Sequence, residues 1–390
     1  MNVLLLSYET FNNVGEELLG DTTEFLLHSE ANVMVERAQL VPSYAEACKY
    51  NRFAWVGMPL QYVALKMNNK NVFVHRLWEL VYRIRLNAYY KKIIKKTDKI
   101  VIAVGMLKYK NQNFSYIFRI ICKLATKYNK DVLFNAMSVA SPDNSDVRFR
   151  QLVEAINMPC VRGVSTRDGE DGLEILRKYY ISRENIILDD VGDPALWTPQ
   201  TYQIKKRSDS SLIGINVIDP NIYTRYNYEF FTCDQVEKMY KEIIILMSKK
   251  RYEWVLFCNG MSGDYAFGKK LIKELNLPPN KLLSCPKNSS EYLGQIINFK
   301  AIFGARLHAD ISSMALDIPF VGIMWDSKLK YFGSTMEVSH FFVNCSDLNG
   351  ETIVERLEEA MKYTYKYNAR NYYKEKTKQF LKSFVISSTC

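Results

Sequence analysis

Short apolar runs rich in β-branched residues, each handed on to a segment with helical spacing, recur along nearly the whole chain. In the first half the pairs are NVLLLSY with EELLGDTTEFLL, KIVIAVG with FSYIFRIICKLATKY, and DVLFNAM with DVRFRQLVEAI. A strand covered by helices on both faces reads as a continuous apolar run, and the crossover to the next parallel strand is itself a helix. The repeating pair therefore predicts an α/β fold built on parallel sheet.

The alternation fades over WTPQTYQIKKRSDSS, Trp197–Ser211, which is polar, charged and without apolar periodicity, as an interdomain linker would be. It resumes with SLIGINV, a helix over Cys233–Lys249, EWVLFCN, a helix after Gly263, KAIFGA, a helix over Leu307–Leu316, and PFVGIM. The organisation expected is an N-terminal domain over 1–200, a second α/β domain over 211–350, and a helical tail over 351–390 rich in Tyr and Lys. At 390 residues the chain has enough length for two cores. Ligands of such sheets collect outside the carboxyl ends of the strands, so two of these domains face to face enclose a central cleft.

No apolar run approaches the roughly 18 to 20 residues of a membrane helix, and MNVLLLSYE lacks the basic start and cleavage site of a signal peptide. The expectation is a soluble chain that stays in the cytoplasm. The cysteines form no C-x-x-C pair, so neither a zinc cage nor a disulfide framework is indicated. A formal charge of +10 implies attraction to phosphates, on a small ligand, a membrane surface or a nucleic acid. No Asp-x-Asp, G-x-G-x-x-G or Walker loop occurs, which argues against metal-dependent glycosyl transfer, dinucleotide binding and NTP hydrolysis.

The most informative stretch is FGARLHADISSMALDIPFVGIMWDSK, Phe303–Lys328. If KAIFGA is a strand, Arg306 and His308 occupy the loop and first helical turn on the ligand side, and Gly304 lets the backbone approach a ligand. A helix N-terminus favours an anion there, and an arginine fork adds two-point recognition of carboxylate or phosphate. The same residues also fit a plain helix ion pair, Arg306 with Asp310 four residues on. In the first half, GVSTRDGEDGLEIL places Arg167 and Asp168 similarly, where Asp168 could equally be an ordinary N-cap. Near the boundary, DDVGDPALW holds Asp190, Asp193 and Pro194 in what reads as a turn.

Together these segments resemble the polysaccharide pyruvyl transferase family. ARLHADISSMALDIPFVGIMWDSKLKYF is similar to its Arg-Leu-His-Ala block, small-residue helix, Pro-led strand and Asp-x-Lys element, here Asp326 and Lys328. STRD, GDPAL and NNVGEELLGDTTEFLL resemble its other blocks in the same order. Two segments depart from the pattern: the usual Asn-x-Gly-Asp reads Asn13-Val14-Gly15-Glu16, and a Gly-rich turn reads AVGMLKY. The resemblance implies two Rossmann-like domains in the GT-B-like arrangement of two-domain glycosyltransferases, with the acceptor on the N-terminal side and the donor on the C-terminal side. It also implies transfer of the pyruvyl group of phosphoenolpyruvate onto a sugar as a cyclic ketal, without metal or cofactor. The acceptor it implies belongs to a cell-surface polysaccharide precursor, a polyprenyl-diphosphate-linked oligosaccharide being one form. Arg306, Arg167 and Lys328 are then candidate clamps and His308 a candidate proton donor. Asp310 or Glu16 are candidates to activate the sugar hydroxyl, and Asn13, Gly15, Gly304 and Asp326 complete the candidate binding set.

A metal-independent nucleotide-sugar glycosyltransferase of the same shape is the nearest rival. A non-catalytic glycolipid-binding protein is another, suggested by VFVHRLWELVYRIRLNAYYKKIIKKTDK. There Trp78, Tyr82, Tyr89 and Tyr90 sit among Arg and Lys, as on a helix lying against the inner face of a membrane. The same segment also reads as a crossover helix with one core face and one basic solvated face. Nucleic acid is not expected, because no reading motif accompanies the charge. His28, His75 and His340 read as structural.

Overall fold

The computed structural model describes residues 1–9, 13–31, 33–51, 72–107, 109, 114–225 and 231–387. They form two compact units, one of Met1–Tyr8, Thr23–Val191 and Lys376–Cys390, the other of Glu9–Thr22 and Gly192–Glu375. The division falls between Val191 and Gly192, ahead of the polar stretch Trp197–Ser211, and it also runs through two helices, Val14–Ala31 and Asn368–Ile386.

In the first unit β1 (Asn2–Ser7), β2 (Met34–Gln39), β3 (Lys99–Ala103), β4 (Asp131–Met137), β5 (Val161–Thr166) and β6 (Ile187–Asp190) form one sheet in the order β2-β1-β3-β4-β5-β6. Every neighbouring pair is parallel. The central strands β3 and β4 are buried at every position, which is why the stretches IVIA and VLF show in the sequence as apolar runs. The edge strands β2 and β6 carry MVERAQ and ILDD, with Met34 and Ile187 exposed, and give no such signal.

The helix Val72–Ile94 has the core face that the crossover reading expects. Trp78, Tyr82, Tyr89 and Tyr90 are all buried, Trp78 stacking on Tyr82 and Tyr82 on Tyr116. Its aromatic side is therefore a core face, and the exposed side carries Arg76, Arg83, Lys91 and Lys92 together with Leu80 and Ile84. His75 is buried with Nδ1 2.6 Å from the Tyr116 hydroxyl, a structural role. No described helix is long and apolar enough to cross a membrane.

In the second unit β7 (Ile213–Asn216), β8 (Trp254–Phe257), β9 (Ala301–Gly304), β10 (Phe320–Met324) and β11 (Phe342–Asn344) form a parallel sheet in the order β11-β10-β9-β7-β8. The helix Cys233–Lys249 begins at a capping box in which Thr232 and Gln235 satisfy each other's backbone N–H groups. The expected linker is partly helical: a 3-10 turn over Pro194–Trp197 runs into a short helix over Thr198–Tyr202. Asp193 caps that turn by accepting from Ala195 N at 2.8 Å, and Pro194 at its first position is preset in φ. These helices are too short to show periodicity, so composition alone hid them.

Candidate active site

Both sheets reverse their strand order once, between β1 and β3 in the first unit and between β7 and β9 in the second. Ligands of open α/β sheets bind outside the carboxyl ends at such a switch point, since the two flanking crossovers depart to opposite faces and leave a crevice.

At the second unit's switch point Asn216 ends β7 in full burial. Its Oδ1 accepts from the backbone N–H groups of Ala305 at 3.3 Å and Arg306 at 3.1 Å, while its Nδ2 donates to Asn259 Oδ1 at 2.8 Å. One side chain thus ties together the chain ends leaving β7, β8 and β9. Arg306 stands at the N-cap of the helix Leu307–Ala315. Its guanidinium binds the buried Asp264 in two-pronged fashion, Nε to Oδ2 at 2.9 Å and Nη2 to Oδ1 at 2.7 Å, leaving the side chain 18% exposed. Helical spacing suggested Asp310 as the partner of Arg306; the partner is Asp264, from the first turn of the helix Ser262–Glu274.

Asp310 points the other way, into the seam between its helix and the sheet. A Cβ on Gly304 would lie 1.9 Å from its Oδ1, and one on Gly322 would lie 3.1 Å from its Oδ2. The room expected at Gly304 for a ligand is therefore filled by Asp310. Neither carboxyl oxygen has a hydrogen-bond partner among the described residues, and burial pushes the acid well above the usual carboxylate range. An acid sealed in that seam cannot reach a sugar hydroxyl as a base.

His308 occupies the first turn of the same helix, 14% exposed. Its Nε2 lies 3.9 Å from Oδ2 of Asp193, an ion pair when the ring carries its second proton. Against the other side of the ring sits Gly15, where a Cβ would fall 2.2 Å from Nδ1. Gly15 is the second residue of the helix Val14–Ala31, with Asn13 Oδ1 accepting its N–H at 3.2 Å and Val14 N donating to Asn259 O at 3.4 Å. Glu16 follows, half-buried. Asn13, Gly15, Glu16, Arg306 and His308 thus belong to one unit and one neighbourhood, although nearly 300 residues of sequence separate them.

One turn further along the Val14 helix, Glu17 and Asp21 meet Ser289 and Tyr202. Ser289 donates its N–H to Glu17 at 3.0 Å and its hydroxyl to Asp21 at 2.9 Å, and the Tyr202 hydroxyl also donates to Asp21. Burial, with the neighbouring Asp21 charge adding to it, holds the Glu17 carboxyl above the ordinary range, against the lowering effect of Ser289. This cluster fixes the helix that carries Gly15.

Asp326 caps the helix Ser327–Thr335, its Oδ1 accepting from Lys328 N at 3.2 Å, so its carboxylate serves the fold. Lys328 is half-buried in the first turn of that helix.

Arg167 belongs to the first unit. It is buried rather than solvated, with Nε donating to Ser138 Oγ at 3.1 Å and Nη2 to Gly105 O at 2.8 Å. Asp168 stands at an N-cap position without capping: its carboxylate accepts from Ser138 Oγ at 2.9 Å and Val139 N at 2.7 Å. The pair joins the carboxyl ends of β4 and β5 to the loop after β3.

Three contributors escaped the sequence reading: Asn216, Asp264 and Ser138. The available signal was positional, a polar residue closing a buried apolar strand in GIN and an acid in the first turn after β8 in SGD.

Sheet order and switch points define a fold of two Rossmann-type α/β units. Similar structures bear this out: the UDP-GlcNAc 2-epimerase of Methanocaldococcus jannaschii in complex with UDP-GlcNAc and UDP aligns at 12% identity and a TM-score of 0.56, covering 99% of each chain. The UDP-GlcNAc 2-epimerase of Neisseria meningitidis bound to UDP-GlcNAc aligns at 10% identity and a TM-score of 0.53, covering 99% of this chain and 97% of that one. At these identities the likeness is one of fold, the GT-B-like fold. No curated protein matches the chain by sequence. The family model for polysaccharide pyruvyl transferase matches residues 60–327, and the chain belongs to that family of transferases.

Proposed function

We propose that this transferase moves the pyruvyl group of phosphoenolpyruvate onto two hydroxyls of a sugar in a cell-surface polysaccharide precursor, forming a cyclic ketal and releasing phosphate. The observation that carries the reading is the adjacency of Arg306 and His308 at the switch point, a braced cation beside an imidazole, in a chain of this family. Phosphoenolpyruvate presents a carboxylate and a phosphate, which call for cations, and a methylene that must gain a proton before its neighbouring carbon can accept a hydroxyl.

In this reading Arg306 holds one anionic group of the donor, with Lys328 as a further clamp. His308 gives its proton to the methylene carbon, suiting a group whose ordinary titration lies near neutrality. The electron-poor carbon left beside the phosphoryl oxygen is attacked by the first sugar hydroxyl; phosphate departs with the C–O bond electrons, and the second hydroxyl closes the ring. Of the two hydroxyl protons, one ends in the new methyl group by way of His308 and the other leaves with phosphate. Glu16 is assigned the hydroxyl side in place of Asp310, because Asp310 is sealed in the sheet seam. Asp193 is a positioning residue that keeps the imidazolium oriented.

The test is incubation with phosphoenolpyruvate and lipid-linked galactosides, with mass spectrometry for the pyruvyl ketal and assay of released phosphate. A thermal shift with UDP-GlcNAc but none with phosphoenolpyruvate would replace this reading by nucleotide-sugar transfer. Glycolipid binding without phosphate release would make the chain a binding protein.

A further inference from the structure

The helix Leu307–Ala315 has the candidate active site at its N-terminus. At its other end, roughly 14 Å away by helical rise, it borders a cavity of about 600 Å³ in the same unit. The cavity is lined by four cations, Lys205, Lys206, Arg370 and Lys374, against a single carboxylate, Asp317. None of these residues takes part in the chemistry proposed above.

One of the four has an evident structural task. Arg370 donates Nη1 to Met314 O at 2.8 Å and pairs with Asp317, so it satisfies the negative end of the helix. Its Nε is buried without a hydrogen-bond partner among the described residues. The lysines are not needed for that task. Lys374 lies 4.5 Å from the Trp197 ring centroid with its Nζ 3.0 Å from Gln200 Oε1, a neutral acceptor. Among the described residues the hydrogen bond of Lys206 goes to a backbone carbonyl, Lys300 O at 3.5 Å. Burial, followed by repulsion from Arg370 and opposed by Asp317, brings Lys374 down to about 8, and burial lowers Lys206 as well. Cations gathered in a half-enclosed space with one countercharge are the arrangement a polyanion completes.

We infer that this cavity is a second anion site, separate from the proposed transferase site, and that it takes a phosphate or diphosphate group attached to a larger body. The volume exceeds what an inorganic ion fills and lies in the range of small-molecule pockets. The group can come from a soluble phosphorylated compound or from a lipid headgroup.

The experiment is calorimetric titration of the full chain with inorganic pyrophosphate at pH 8, in two buffers of different ionisation enthalpy. The expected result is saturable binding with proton uptake, since the anion restores the proton on Lys374. The combined variant Lys206→Gln/Lys374→Gln is expected to bind pyrophosphate at least tenfold more weakly, while its thermal shift with phosphoenolpyruvate matches wild type. Arg306→Lys is expected to leave pyrophosphate affinity unchanged, so failure of the transferase reading and failure of this one are told apart. Should the combined variant not fold, Lys205→Glu at the exposed rim is expected to weaken binding severalfold. Absence of binding, equal binding by the lysine variants, or loss of binding in Arg306→Lys alone overturns the inference. Co-sedimentation with phosphatidylglycerol vesicles that the lysine variant loses identifies a headgroup; pyrophosphate binding without co-sedimentation identifies a soluble phosphate.

Discussion

Gly15 and His308 are in such close contact that a single methyl group on Gly15 would lie 2.2 Å from the ring nitrogen Nδ1. The position of the imidazole is therefore set by the absence of a side chain on a helix nearly 300 residues earlier. Gly15→Ala must push the ring aside, and a displacement of about 1 Å can cost on the order of a hundredfold in rate. Phosphate release from phosphoenolpyruvate in the presence of acceptor is expected to fall by that order, with the circular dichroism spectrum unchanged.

His308→Gln keeps a polar side chain but has no imidazolium proton to give. Turnover is expected to fall about a hundredfold to ten-thousandfold while phosphoenolpyruvate still protects against thermal unfolding. In deuterated water the wild type is expected to place deuterium in the pyruvyl methyl group. A variant within a few fold of wild type removes His308 as the acid.

Asp264 holds Arg306 by two charge-assisted bonds and is itself fully buried, also accepting from Asp219 N at 2.8 Å. Removing one partner of a buried pair leaves the other charge uncompensated, at a cost of about 3–5 kcal/mol. Asp264→Ala is expected to lose stability of that order in urea unfolding. Arg306→Lys, which keeps the charge but not the fork, is expected to lose phosphoenolpyruvate affinity with a smaller stability loss.

Asp310 makes stability depend on pH. Its folded-state value lies well above the unfolded one, so its contribution is fully present below the unfolded value and is lost as pH rises toward the folded value. Asp310→Asn removes this dependence. In urea unfolding the variant is expected to gain on wild type as pH rises from 4 toward neutrality, by up to about 1.4 kcal/mol per pH unit. Parallel stability curves for the two proteins would show the acid to be ionised in place.

How much of this was legible in the sequence followed burial. β3, β4, β9 and β10, flanked on both sides, wrote themselves as apolar runs, and the helix Cys233–Lys249 lies at the expected bounds. β2, β6 and β11 did not, because short or edge strands with exposed residues carry no such run. In the site, residue types and the strand-to-helix position brought out Arg306 and His308. Partners were out of reach: Arg306 takes Asp264 rather than Asp310, and the Gly304 vacancy is taken by Asp310, because both are decided by packing between distant segments. The four aromatics of the Val72–Ile94 helix were visible, but which face they took was not, since Arg and Lys interrupt the stripe.

The interleaving of the two units governs how the protein can be made. The sheet of the first unit has its β3 lysine, Lys99, buried with its ammonium donating to the carbonyl of Phe384 at 2.6 Å, and Lys376 pairs with Asp189 at 2.9 Å beside β6. On a ribosome that adds residues from the N-terminus, all six strands of that sheet have emerged by Asp190, yet those two partners arrive only with the final helix. The second unit likewise requires Glu9–Thr22, made long before the rest of it. Neither unit can reach its finished form as a nascent segment, so a pause or truncation before Asn368 leaves a sheet that is built but unlatched, the kind of species that occupies chaperones.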